Sequence, residues 1–423
     1  MATLLATGGA YAIASYDWCG RWPAEAPKLL GVGRAQGALR AGAAKVALEP
    51  PYPVVVAGYA PWRPVVEKAR APLHARALVL QVEAVKVALV SVDLLSLPAP
   101  LADEIRARAQ SLGFGEVWVT ATHSHSSFGG YDERLVSELA GTGRYRDGSR
   151  ASVVEGAVRA LTQANSALVP ASLLVGAAQP TDLTAPRSGV EVDQRLTQLL
   201  IKGAESPLAE VVVFAAHPTL VSGKTDALDP DWPGAFASRR EAAGGVTLVL
   251  QGAVGNVSVA DPTGGPEAFA GKLQDVMGGI TPAAQDASVR LGYAHVQVAL
   301  PRPDSSRVQG VPSFLRAAGD NFLCSSAPRR AEVSAVAIGP VAMLGLPAEP
   351  TLLVARTLEA ASGAQRSVSL ANGYLGYVDS AAMVAAGTGE AKRQYFGAGL
   401  EGELARGAQL VGQALGLSFG AVK

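Results

Sequence analysis

Two apolar, β-branched runs in this chain end in histidine. Val117-Trp118-Val119-Thr120-Ala121-Thr122 leads into His123-Ser124-His125, and Val211-Val212-Val213-Phe214-Ala215-Ala216 leads into His217-Pro218. Short runs of this composition, closed by chain-breaking residues, read as buried strands. Side chains two apart in an extended strand share a side, so His123 and His125 are expected to project together from the first strand's end. The chain has only five histidines in 423 residues, and this pairing points to a metal site. The alternative is two histidines satisfied by hydrogen bonds at a strand terminus.

Composition narrows the partners. Lys+Arg and Asp+Glu stand at 36 each, so no net field recruits nucleic acid or another polyanion. Hydrophobic residues at 49% against 17% charged supply a large buried core. Cys19 and Cys324 match neither a zinc-ribbon spacing nor a disulfide-rich scaffold; they are either one long-range disulfide or two buried thiols. Residues 1–15 are apolar, but they lack both the basic start of a secretory signal and the roughly 20 apolar residues of a membrane span. They are either the tail of an export signal or anchor that begins upstream, or a hydrophobic N-terminus. The first alternative implies a secreted or cell-envelope protein; the second leaves the cytoplasm open.

Along the chain, residues 1–41 read as this apolar segment plus a linker, and residues 42–423 as one catalytic-sized domain without repeats. Residues 75–82 and 85–92 are expected to form a strand pair turning at Glu83-Ala84, followed by a helix over 101–112 that stops at Gly113, and then the first histidine strand. A second helix is expected over 152–163. Further strands are expected at 171–175, 196–201, 210–215, 246–251, 289–300, 331–338, 341–346 and 368–377, with helices at 236–243 and 351–361. This alternation predicts a mixed α/β fold: sheets covered by helices, with the active site at strand ends. Asp93, at a strand end, is either a support for a ligand histidine or a turn cap. Tyr374 reads as packing, Asp229 and Asp231 as loop structure, and His74 and His295 as outside the chemistry.

Taken in order, the polar groups at these strand ends resemble the neutral ceramidase family, the non-lysosomal amidohydrolases that cleave N-acyl-sphingosine. The resemblance is carried by Thr122-His123-Ser124-His125-Ser126, Phe214-Ala215-Ala216-His217-Pro218-Thr219, Gly255-Asn256-Val257-Ser258, Leu346-Pro347-Ala348-Glu349-Pro350-Thr351 and Asn372-Gly373-Tyr374-Leu375-Gly376-Tyr377. Weaker matches are His74-Ala75-Arg76-Ala77, Pro186-Arg187-Ser188 and Gln394-Tyr395. The resemblance implies a zinc ion held by His123, His217, Glu349 and Tyr377. It places His125, Arg187, Ser258 and Tyr395 around the amide of a ceramide-like N-acyl lipid, met at a membrane surface. Nitrogen and oxygen ligands from separate strands suit hydrolytic rather than structural zinc. Ser258 is either a nucleophile or a substrate-binding residue; binding is favoured because no base stands beside it in the sequence.

The chain departs from the family at Ser127-Phe128, where Gly-Pro is usual, and at Asn256, where an acid is usual. The segments 128–151 and near Thr263 are short, and the residues after Tyr395 are too few for the family's C-terminal immunoglobulin-like domain. These departures keep two alternatives in view: a zinc hydrolase of another amide or ester, and an altered homologue that binds lipid without turning it over. Barrel-fold amidohydrolases also carry His-x-His on a strand, but on their first one; several strands precede it here.

Overall fold

The computed structural model of the chain describes residues 19–59, 63–188, 191–305, 312 and 315–417. The apolar stretch 1–15 lies outside the described residues. In chain order the strands that carry the architecture are β1 (Lys28–Ala47), β2 (His74–Val82), β3 (Val85–Val92), β4 (Glu116–Ala121), β5 (Ser172–Ala178), β6 (Thr184–Pro186), β7 (Leu196–Lys202), β8 (Pro207–Phe214), β9 (Val246–Gln251), β10 (Val257–Val259), β11 (Ser288–Ala299), β12 (Arg330–Ile338), β13 (Val341–Gly345), β14 (Glu349–Pro350), β15 (Arg366–Val368) and β16 (Tyr377–Val378). The covering helices are α1 (Ala99–Arg108), α2 (Asp147–Ser166), α3 (Asp231–Glu241), α4 (Gly265–Gly278), α5 (Arg316–Ser326), α6 (Leu352–Ser362) and α7 (Leu400–Leu415).

The larger sheet runs β15-β13-β12-β11-β1-β2-β3-β4, and the smaller contains β9-β8-β7-β5. Period-2 alternation explains why they stack. On β2, Leu78, Leu80 and Val82 join Val211 and Val213 of β8 and Leu248 and Leu250 of β9 in one core between the sheets. The intervening Ala75, Ala77 and Val79 pack instead with Val153, Val154 and Leu161 of α2. On the far side, Val212, Phe214 and Val249 meet Phe236 of α3 and Phe269 and Leu273 of α4. The order is therefore helix, sheet, sheet, helix, with strands buried on both faces, which is why they read as continuous apolar runs. This is the expected mixed α/β class with helix-covered sheets.

Two expectations are corrected, and the alternative left open for the cysteines is resolved. Residues 28–41, read as linker, are strand: β1 starts at Lys28 and pairs antiparallel with β11. Residues 368–377, read as one strand, are two short ones, because Leu370 (φ 59°) and Asn372 (φ 56°) turn the chain between them. That turn lays Ala371 against Thr120 as an antiparallel bridge, and the Asn372 amide oxygen accepts from Val119 N–H at 2.8 Å, so the free edge of β4 is covered. The two cysteines are paired, Cys19 to Cys324 on α5. Among the described residues no helix is long and apolar enough to cross a membrane.

A buried ion cluster joins the layers. Asp193, fully inaccessible as a side chain, meets Arg366 of β15 at 3.1 Å and Arg195 at 2.8 Å. Burial raises its carboxyl, but Arg366 and Arg195 outweigh burial and hold it at about 2. A depressed carboxylate stabilises the fold above its unfolded value of 3.8, and that contribution vanishes as pH falls through about 2. The shift is worth about 2 kcal/mol. Asp193→Asn is expected to flatten the acid limb of a stability–pH curve over this window, checked by urea denaturation at stepped pH; an unchanged limb would contradict it.

Candidate metal centre

Both histidine loops begin where parallel strands end side by side. Thr122 N–H continues the β3–β4 ladder onto Val92 O at 2.9 Å. His123 then leaves it at φ 71°. The expectation that His123 and His125 share a side by strand alternation is thus corrected: the strand has ended, and a left-handed turn aims the first ring. His123 Nδ1–H donates to Leu95 O at 2.6 Å, which orients the ring with Nε2 toward His217 and Glu349. His217 follows β8, whose neighbour β9 ends in Gln251. That buried side chain accepts from Ala216 N–H at 3.3 Å and donates to Thr122 O at 2.9 Å, tying the two loops across the sheets. Glu349 follows β13 and pairs in parallel with Tyr377 through β14 and β16.

Four sequence-predicted residues converge. His123 Nε2 lies 3.3 Å from His217 Nε2 and 3.2 Å from Glu349 Oε2. His217 Nε2 lies 3.3 Å from the same carboxylate oxygen and 3.1 Å from the Tyr377 hydroxyl. His123, His217 and Glu349 are each 1% exposed. His125 comes close as well: its ring centroid is 4.9 Å from that of His123, and one nitrogen from each of the three histidines falls within a 4.8 Å group.

Arg187 is brought in through β6 and β10. Its guanidinium donates to Gly255 O at 2.5 Å and to the Tyr377 hydroxyl at 3.3 Å. Arg187 and Arg393 each lie 5.4 Å from the Tyr377 ring centroid. Ser258 stands on β10, opposite Ala185, and its hydroxyl forms no hydrogen bond among the described residues. Tyr395 packs on Phe396, with its ring against Gly376, and is joined to the histidine cluster by no hydrogen bond among the described residues.

Burial sets the protonation states. It pulls His217 down to about 4, with His123 and Arg187 acting in the same direction against Glu349. His125 is lowered well below its ordinary value for the same first reason. Burial alone would raise Glu349, yet the adjacent His123 and His217 hold it well below the usual carboxylate range. Tyr374 and Tyr377 are raised, first by burial and then by the Glu349 charge. Burial likewise pushes Tyr395 up to about 12.

This donor set fits a cation. Glu349 Oε2 is buried with no hydrogen-bond partner among the described residues, and His123 Nε2 faces it at 3.2 Å. Electron-pair donors a little over 3 Å apart repel unless a positive charge lies between them. Four-coordinate zinc with nitrogen and oxygen ligands at about 2.0–2.1 Å implies ligand separations of about 3.3 Å, and the four distances measured here run from 3.1 to 3.3 Å.

Tyr374, read from sequence as packing, donates its hydroxyl to Glu349 Oε1 at 2.6 Å and so orients the carboxylate. A partner 25 positions away left no local signal beyond the Asn-x-Tyr-x-x-Tyr spacing. Partners that orient ligands typically tune metal affinity about 10–100-fold. Tyr374→Phe is therefore expected to weaken zinc binding by that range in a chelator competition with its fold intact; equal affinity would contradict the role. Asp93 does not support a ligand histidine: it binds Arg76 at 2.9 Å and caps His74 N–H. His295 pairs with Glu116 on another part of the larger sheet. Asn256, where the family signature has an acid, donates to Glu191 O at 2.9 Å and accepts from Leu352 N–H at 3.1 Å, a dual role open to an amide and closed to a carboxylate.

Residues 49–245 match the family model described as neutral/alkaline non-lysosomal ceramidase, N-terminal. A search of curated proteins finds no match. Among solved structures, the neutral ceramidase from Pseudomonas aeruginosa superposes with a TM-score of 0.74 at 19% identity, covering 92% of this chain and 76% of that one. A ceramidase complexed with C2 gives a TM-score of 0.75 at 18% identity, covering 91% and 77%. At such identities the agreement concerns the fold. The match over residues 49–245 bears out the resemblance read from the ordered motifs, and the two solved structures bear out the fold.

Proposed function

We propose that the chain is a zinc-dependent hydrolase that cleaves the amide bond of ceramide-like N-acyl lipids. The observation that carries this reading is the convergence of His123 Nε2, His217 Nε2 and Glu349 Oε2, three atoms able to bind a metal that lie 3.2–3.3 Å from one another in a buried place. His123, His217, Glu349 and Tyr377 would hold the zinc; their separations suit direct ligands better than a set drawn from the wider three-histidine group. Zinc bound there would supply Lewis acidity, activating water at neutral pH and polarising an acyl carbonyl.

The remaining residues handle protons and charge. His125 keeps a neutral imidazole whose Nε2 is buried and unpartnered. It takes up the proton released as water adds to the carbonyl and passes it to the departing amine. Arg187, anchored on Gly255 O, and Tyr395, which retains its proton, donate to the oxyanion that develops on the carbonyl oxygen. Ser258 binds a polar group of the substrate; with no base touching its hydroxyl, it is not equipped as a nucleophile.

Residues 42–423 act as the catalytic unit, together with the part of β1 that precedes them. The Cys19–Cys324 disulfide supports a secreted or cell-envelope setting, where such bonds persist, and the lipid is met at a membrane surface. Fluorescent ceramide assayed with and without chelator tests the proposal. Turnover that chelation abolishes and zinc restores is expected; turnover indifferent to chelation, or none with zinc loaded, would overturn it.

A further inference from the structure

We infer that the turn Asp229-Pro230-Asp231 is the positioning element for the loops that carry His125 and His217, with Asp231 fixing the His217 loop. The inference rests on the zinc reading of the site and goes beyond it, because none of these residues touches the donor atoms. Asp231 Oδ2 accepts from Leu220 N–H at 2.9 Å and Val221 N–H at 3.0 Å, immediately after His217, while Oδ1 accepts from Trp232 N–H at 2.7 Å. Trp232 Nε1–H in turn donates to Ala216 O at 3.2 Å, just before the histidine. On the other side, Asp229 O accepts from the hydroxyls of Ser124 at 2.8 Å and Ser126 at 2.9 Å, the residues that flank His125. Asp229 N–H donates to Ser126 O at 2.9 Å. The brace also reaches the His125 ring: Val221 O accepts from the Tyr59 hydroxyl at 2.8 Å, and the Tyr59 ring lies 5.6 Å from His125.

An ordinary turn does not need this construction. Asp231 is 0% exposed, sits at φ 56°, and is paired with no lysine or arginine among the described residues. A buried carboxylate whose partners are backbone amides is costly, and two of those amides belong to the loop carrying His217.

Asp231→Asn keeps the size and tolerates the backbone angle, but it sets an amide N–H₂ against backbone N–H groups that now find an oxygen. The test is zinc affinity by chelator competition, with melting temperature measured in parallel. Glu210→Gln is the comparison: it weakens a half-buried ion pair with Arg240 at the other end of the same strand. Asp231→Asn is expected to weaken zinc about 10–100-fold, whereas Glu210→Gln lowers the melting temperature and leaves zinc affinity alone. If Asp231→Asn fails to fold, the Ser124→Ala/Ser126→Ala double variant decides on the same readout. Wild-type protein that holds zinc, with the deciding variant holding it equally well, overturns the inference alone. Wild-type protein that holds no zinc overturns the inference and the reading beneath it.

Discussion

His217→Ala is expected to leave a folded protein that neither retains zinc nor hydrolyses ceramide. The imidazole Nε2 stands within 3.3 Å of three other donor atoms, on His123, Glu349 and Tyr377, so it contributes to more contacts of the centre than any other group. Loss of a residue that merely orients a ligand costs about 10–100-fold in metal affinity; loss of a ligand itself is expected to cost more than about 100-fold. The strand beneath is secured independently, since β8 pairs with β7 and β9 and Ala216 N–H is held by Gln251. Circular dichroism close to wild type, with zinc and turnover both absent, is the predicted result. Retained zinc with lost turnover would move His217 from ligand to proton-handling group, and retained turnover would contradict the site altogether.

The largest expected effect on stability lies deeper, at Arg76. This side chain is 2% exposed and sits between two buried carboxylates, Asp93 at 2.9 Å and Glu241 at 2.8 Å. It links β2 of the larger sheet to the end of α3, which covers the smaller one. Lys45 also reaches Glu241, at 2.6 Å, but among the described residues no other lysine or arginine pairs with Asp93. Arg76→Ala leaves Asp93 buried beside a cavity with no counter-charge. Breaking such a pair from one side typically costs about 3–5 kcal/mol, because the remaining charge keeps its desolvation penalty. Chemical denaturation should show a loss of that size, and Asp93→Asn in the same chain should recover part of it. A loss below about 1 kcal/mol, the scale of an exposed pair, would contradict the account.

Much of the fold was legible because its strands carry their own signal. Val246–Gln251 matches its apolar run residue for residue, and the hairpin of β2 and β3 turns at Glu83, whose φ of 50° marks the tight connection. The first half of β1 gave no such signal, since Lys28–Ala47 is rich in glycine and alanine and poor in β-branched residues. The reason is tertiary. A Cβ at Gly31 would stand 2.7 Å from the His295 ring, and one at Gly33 would stand 2.4 Å from the Tyr293 ring, so these glycines are dictated by the neighbouring strand. No local pattern contains that information.

The site shows the same division. The convergence of His123, His217, Glu349 and Tyr377 was legible because each closes an apolar run or a family motif. Tyr374, Gln251 and Arg393 were missed because each acts through a partner far along the chain. The positive φ of His123 was missed for a different reason: a histidine after a β-branched run reads as continued strand, and only the Nδ1–H bond to Leu95 O shows that the backbone has turned.

Metal content of the purified chain, measured by inductively coupled plasma mass spectrometry, tests the central claim most directly. The account predicts about one zinc per chain, lost together in His123→Ala, His217→Ala and Glu349→Ala. Protein that cannot be loaded with a divalent metal, or whose zinc survives all three substitutions, would contradict it.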